Sequence, residues 1–191
     1  MINVTLDTNC IIDLEEDRTT APYIRKLIRT QEEGNTNLGV PAISASERKP
    51  NGKYATNFAE FQQKITAVGL GNVNILKPIG YWDVTFWDWC LYADKLDPLD
   101  ANLEREIHQI LFPEIDFAYS GEVDKRWRNA KCDVLALWSH IHYGSGIFVT
   151  MDSNFHQKTK KSGLLALGAG EILKPEDAAS RLDNEILFSA N

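Results

Sequence analysis

Four carboxylates stand where they could share chemistry: Asp7, Glu47, Asp133 and Asp152. Asp7 directly follows Ile2-Asn3-Val4-Thr5-Leu6, an apolar and polar alternation that reads as a strand. Glu47 comes shortly after the apolar run 38–43, and Asp152 follows Ile147-Phe148-Val149-Thr150. If these strands are parallel neighbours, three carboxylates meet at the carboxyl edge of one sheet, where open α/β folds bind ligands. Asp133 is expected in the first turn of a helix over 130–143, and a right-handed crossover carries that turn toward the same edge. Each residue alone has a plainer reading. Asp133 could face a helix dipole; Glu47 could be solvated or join a capping arrangement with Ser44. Together, without matching cations, the four would repel one another. Protonation relieves that repulsion, and so does a hard divalent cation. Oxygen-only donors favour Mg²⁺ or Mn²⁺ over zinc, and no Cys or His ligand set competes. Such a site suits hydrolysis of a phosphodiester by activated water.

The elements that must position these residues alternate between strand and helix. Pro22 suits a first helical turn, followed by Ile24, Leu27 and Ile28 at helical spacing. Pro41 marks a strand end. A helix is expected over 54–68, with Phe58, Phe61 and Ile65 on one face and Gly69 after it. A third strand is expected at 73–76, a short basic helix at 155–161, a last strand at 168–173, and a terminal helix from Pro175. From Pro78 to 126 the composition turns aromatic and acidic. A helix is expected over 81–95, because Trp82, Phe86 and Trp89 fall at helical spacing, and another over 99–111. This stretch reads as a helical insertion at about 78–126, its aromatic stripe used for packing or a homodimer contact. The expected architecture is one α/β domain over 1–191, with a central parallel sheet between helical layers.

The 191 residues suffice for that domain, and 43% hydrophobic content suffices for its core. A net charge of −7 excludes a globally basic nucleic-acid binder but not a local basic rim. Cys10, Cys90 and Cys132 have no framework spacing and read as buried, reduced thiols. No charged-then-apolar leader and no membrane-spanning run is present in the sequence, so a cytoplasmic protein with no membrane partner is expected.

Val4-Thr5-Leu6-Asp7-Thr8-Asn9 resembles the opening motif of PIN-domain proteins. The stretches 129–133 (Asn-Ala-Lys-Cys-Asp) and 147–155 (Ile-Phe-Val-Thr-Met-Asp-Ser-Asn-Phe) are similar to that family's later acidic motifs, and 172–178 to its ending. The resemblance covers 1–76 and 129–180. It implies a three-layer α/β/α sandwich and Mg²⁺- or Mn²⁺-dependent endoribonuclease activity; many members are toxins with a protein antitoxin. It further implies that Asp7, Asp133 and Asp152 hold metal and that Glu47 completes the cluster. Thr8, Asn9 and Thr150 would orient carboxylates or water, with Asn154 also in reach. The chain departs from the compact toxins in its length and in the 78–126 insertion.

Basic residues flank each acidic position. Arg48 and Lys49 follow Glu47; Arg128 and Lys131 precede Asp133; Lys158 and Lys161 follow Asp152. These are expected phosphate contacts for an RNA substrate. The acidic insertion would repel a long duplex, which favours single-stranded or folded RNA. His156, four residues after Asp152, is a candidate proton donor. Two other readings compete: a PIN-like module that binds RNA or protein without turnover, and a metal-dependent phosphatase acting on small phosphate esters.

Overall fold

The computed structural model describes residues 1–47, 55, 57–92, 94, 96–118 and 124–189. Five strands form one parallel sheet: β1 (Ile2–Leu6), β2 (Thr36–Pro41), β3 (Asn74–Leu76), β4 (Ile147–Val149) and β5 (Glu171–Leu173). Their order is β3-β2-β1-β4-β5. The expected strands are thus present, and the three that precede carboxylates are neighbours. Val4 pairs with Leu38 on one side and with Ile147 on the other. Connections leave β1 toward β2 on one side, while β4 returns on the other. The reversal creates a crevice between β1 and β4 at the carboxyl edge.

The sheet's two faces carry separate buried clusters, as a period of two requires. Val4, Leu6, Ile147 and Val149 face one way. Helices α1 (Thr8–Glu15), α2 (Ala21–Glu32), α3 (Phe58–Ala67) and α8 (Pro175–Ser189) cover that side with residues such as Ile11, Leu27, Phe61 and Leu182. Phe148 and Ile172 face the other way, beneath α4 (Pro98–Leu111), α5 (Lys125–His142) and α7 (Lys158–Ala166). The result is the expected α/β/α layering. Among the described residues, no helix is long and apolar enough to cross a membrane. Gly146 is needed where it stands, because a Cβ there would lie 2.1 Å from the Asn3 carbonyl oxygen.

The stretch after β3 shares the second cluster through Ile79, Val84, Ile107 and Leu111. Helix α4 starts as a capped helix should: Asp97 accepts from the Leu99 amide at 2.9 Å, Asp100 accepts from the Asp97 amide, and Pro98 opens the first turn. The expected helix over 81–95 is corrected. Over 81–92 the chain runs as turns, with a 3₁₀ turn at Trp87–Trp89. Two local features break the helical spacing. Asp83 is left-handed at φ 57°, and the Thr85 hydroxyl both accepts from the Tyr81 amide and donates to the Tyr81 carbonyl. Phe86 and Trp89 turn inward onto Phe58, with Trp89 stacked at 4.2 Å, whereas Trp82 and Trp87 turn outward.

Candidate active site

Asp7 is the residue after β1 and the N-cap of α1. One carboxylate oxygen accepts from the Thr8 amide at 2.7 Å. The other accepts from Asn9 Nδ2 at 2.6 Å and from Thr150 Oγ1 at 2.7 Å. Asn9 and Thr150 also meet each other at 3.0 Å, and Asn9 Oδ1 accepts from the Met151 amide at 2.9 Å. These bonds stitch the end of β1 to the end of β4. Asp152 lies just beyond, as the N-cap of α6 (Ser153–His156), accepting from the Asn154 amide at 2.8 Å and donating its own amide to Thr150 Oγ1. Thr150 therefore touches both acidic residues, through its hydroxyl to Asp7 and through its acceptor lone pair to Asp152.

Glu47 follows the 3₁₀ turn Ala42–Ala45 that ends β2. The Thr8 hydroxyl lies between that turn and the carboxylates. It lies 2.9 Å from Ser44 Oγ, and it and the Lys64 charge lower the Glu47 carboxyl against burial and the Asp152 charge. Asp133 reaches the cluster from α5, which packs on the same 3₁₀ turn. It does not stand in the first turn as expected. Asp124 caps α5 by accepting from the Trp127 amide at 2.7 Å, so the helix starts earlier and Asp133 falls near its middle.

Electrostatics ties the four together. Burial pushes Asp7 from 3.8 up to about 7, and the charges of Glu47 and Asp152 push the same way. Burial and the Asp152 charge raise Glu47. Asp133 is raised well above the carboxylate range by burial, then by Asp7, Glu47 and Asp152. Among the described residues, none of the four has an ion-pair partner. The donor chemistry fits a hard divalent cation: only oxygens, excess negative charge, and carboxyls that resist ionising together. The gathering is loose, however. Among the described residues, no three His, Cys, Asp or Glu side chains are brought together closely enough to hold one ion.

The residues expected to support the site divide. Thr8, Asn9 and Thr150 bond to the carboxylates or to their turn. Asn154 serves Asp152 only through its amide; its side chain turns to the Leu111 carbonyl at 3.4 Å and accepts from Lys160. Ser44 is a member of these networks that sequence reasoning passed over as a site residue. Ser44 carried a signal, since it lies three residues before Glu47. His156 Nε2 lies 2.8 Å from the Thr150 carbonyl, which occupies that nitrogen with backbone.

The expected basic rim is corrected at Lys131 and Arg128. Lys131 is 0% exposed and pairs with Glu104 at 2.8 Å, inside a ring of aromatic faces from Tyr81, Phe117 and Trp127. It has no surface to offer a phosphate. Arg128 is buried too, its guanidinium bonded to the Ser46 carbonyl at 3.2 Å and to the Asp83 carbonyl. Lys161 donates to the Ile172 carbonyl at 2.6 Å. Lys158 is exposed. Arg48 and Lys49 lie outside the described residues.

All three cysteines are free and buried, and burial raises each thiol. They are small core groups, and burial works against their thiolates. The fold and site together define an α/β protein with an acidic crevice at the topological switch of a parallel sheet. Compared with protein-family models, curated proteins and solved structures, the chain has no significant match.

Proposed function

We propose that this chain is a PIN-like endoribonuclease dependent on Mg²⁺ or Mn²⁺, which hydrolyses RNA to leave a 5′-phosphate and a 3′-hydroxyl. The observation that carries the reading is the gathering of Asp7, Glu47, Asp133 and Asp152 at the switch between β1 and β4, where burial and neighbouring carboxylates raise the first three and none of the four has an ion-pair partner among the described residues. Asp7, Glu47, Asp133 and Asp152 would hold the metal, which supplies an activated water and neutralises charge on the phosphate. Asn9 and Thr150 fix the Asp7 carboxylate in one orientation, and the Asn154 amide fixes Asp152. Three buried free thiols fit a reducing compartment, which supports a cytoplasmic location. A toxin role with an antitoxin partner belongs to the same reading through the resemblance of the acidic motifs.

The second reading is a PIN-like module that binds without turnover. The loose gathering of the carboxylates favours it. One assay separates these readings and the phosphatase alternative. The protein is incubated with Mn²⁺ and, in turn, a single-stranded RNA, a structured RNA, a DNA duplex and a nucleoside monophosphate. RNA products that disappear with chelator and in Asp152→Asn are expected. Release of phosphate from the mononucleotide alone would assign a phosphatase. RNA retention without cleavage would assign the binding module.

A further inference from the structure

Away from the acidic crevice, the turns after β3 expose a group of large rings. Trp82 is 73% exposed, Trp87 44% and Tyr92 46%. They are contiguous: Trp82 meets Trp87 edge-on at 5.4 Å, and Trp87 lies parallel to Tyr92 within 9° at 6.1 Å. The group is held in place from below. The Tyr92 hydroxyl donates to the Trp87 carbonyl at 3.0 Å, and the buried Arg128 holds the Asp83 carbonyl next to Trp82. The rings are therefore presented on a fixed backbone, with little ordering left to do on binding.

Burying exposed tryptophan is favourable, so a soluble chain that presents three fixed rings together presents them to something. Charge selects the occupant. The residues that follow Trp82 and Trp87 are Asp83 and Asp88, both exposed. The neighbouring Lys77 already donates to the Asp88 carbonyl at 3.1 Å and lies 5.4 Å from the centre of the Trp89 ring. Rings with negative faces beside carboxylates attract a cation and repel a phosphate backbone.

We propose that Trp82, Trp87 and Tyr92 form a docking surface for a cationic segment of a partner protein, whose arginine or lysine side chains lie on the rings, with the exposed Asp83 and Asp88 next to Trp82 and Trp87 in the chain. This surface stands independently of the nuclease reading.

The test titrates the full chain with an octa-arginine peptide at low ionic strength, following tryptophan fluorescence and heat. Saturable binding is expected, weakened by salt. The double variant Trp82→Ala/Trp87→Ala should weaken it about tenfold or more, with the circular dichroism spectrum unchanged. Glu32→Gln/Glu33→Gln, which removes exposed charge from α2, should leave it intact and so separates docking from general attraction to an acidic chain. Three results would overturn the proposal. The ring variant could bind the peptide as tightly as the parent. A single-stranded RNA could require Trp82 and Trp87 for its own binding, which would make the rings a base-stacking ledge. Sedimentation could show a dimer that the ring variant abolishes, which would make them a self-association face.

Discussion

Replacing Asp133 by asparagine is expected to stabilise the protein at pH 7.5 while removing metal-dependent cleavage. Asp133 is raised by burial and by three neighbouring carboxylates, and among the described residues nothing donates a hydrogen bond to it. Its ionised form is thus a cost to folding that asparagine does not carry. A gain of about 1–2 kcal/mol is typical of relieving such a functional site, roughly 2–8 °C in Tm for a chain of this size. Cleavage should fall by at least about a hundredfold, the upper loss typical even of residues behind the ligands. The sign with pH follows from the direction of the shift. Asp7 is raised from 3.8 to about 7, and Asp133 is raised as well. The folded state therefore retains protons that the unfolded chain releases above pH 4, and stability is lost as pH rises toward 7. The advantage of Asp133→Asn should be absent near pH 4 and grow as pH rises above it. His140 works in the opposite sense. Burial lowers it from 6.5 to about 4, so its contribution is lost as pH falls below 6.5. It is common to parent and variant and cancels in the difference. Asp7→Asn should gain less than Asp133→Asn. Three donors, from Thr8, Asn9 and Thr150, point at the Asp7 oxygens, and an amide nitrogen would face some of them. Thermal unfolding of the parent and both variants across pH 4–8, without divalent ions, measures all of this.

Lys131→Met, outside the acidic crevice, is expected to destabilise the fold strongly. It would leave Glu104, 3% exposed, without its cation and with only the Tyr81 hydroxyl at 3.0 Å donating to it among the described residues. Breaking a buried pair from one side costs about 3–5 kcal/mol, or roughly 6–20 °C in Tm. The cost is structural, because the pair joins α4 to α5 and so helps fix the helix that carries Asp133. Lys131→Met/Glu104→Leu should recover most of the loss, since well-packed apolar residues can replace a buried pair. A phosphate-binding role would give a different pattern: unchanged Tm, weaker RNA binding, and no rescue by changing Glu104. Denaturant unfolding of the three proteins decides between these patterns.

Lys131 also shows where sequence reasoning reached its limit. In the chain it stands two residues before Asp133, and adjacency suggested a shared rim. On a helix, two residues are about 200° apart, so the two side chains leave α5 on opposite sides. One turns to the acidic crevice and the other to Glu104. Arg128 misled in the same way, because nothing local says that its guanidinium holds the carbonyls of Ser46 and Asp83. The strands were legible for a firmer reason. Alternation in Ile2–Leu6 and the continuous run Ile147–Val149 each describe burial directly, and helical stretches between them imply parallel order. The supports of Asp7 were legible because Thr8 and Asn9 sit beside it in sequence. Thr150 precedes Asp152 by two residues. The aromatic stretch was misread because periodicity carries no record of a left-handed Asp83 or of a threonine hydroxyl that closes a turn.

The most direct test of the central claim is calorimetric titration of the protein with Mn²⁺ at pH 7, repeated in buffers of different ionisation enthalpy. Carboxyls raised by burial and by one another must lose protons when a cation joins them. Saturable binding with proton release is expected, weakened at least about tenfold in Asp7→Asn and in Asp133→Asn. Heats that are the same for the parent and both variants, or no binding at millimolar Mn²⁺, would contradict it.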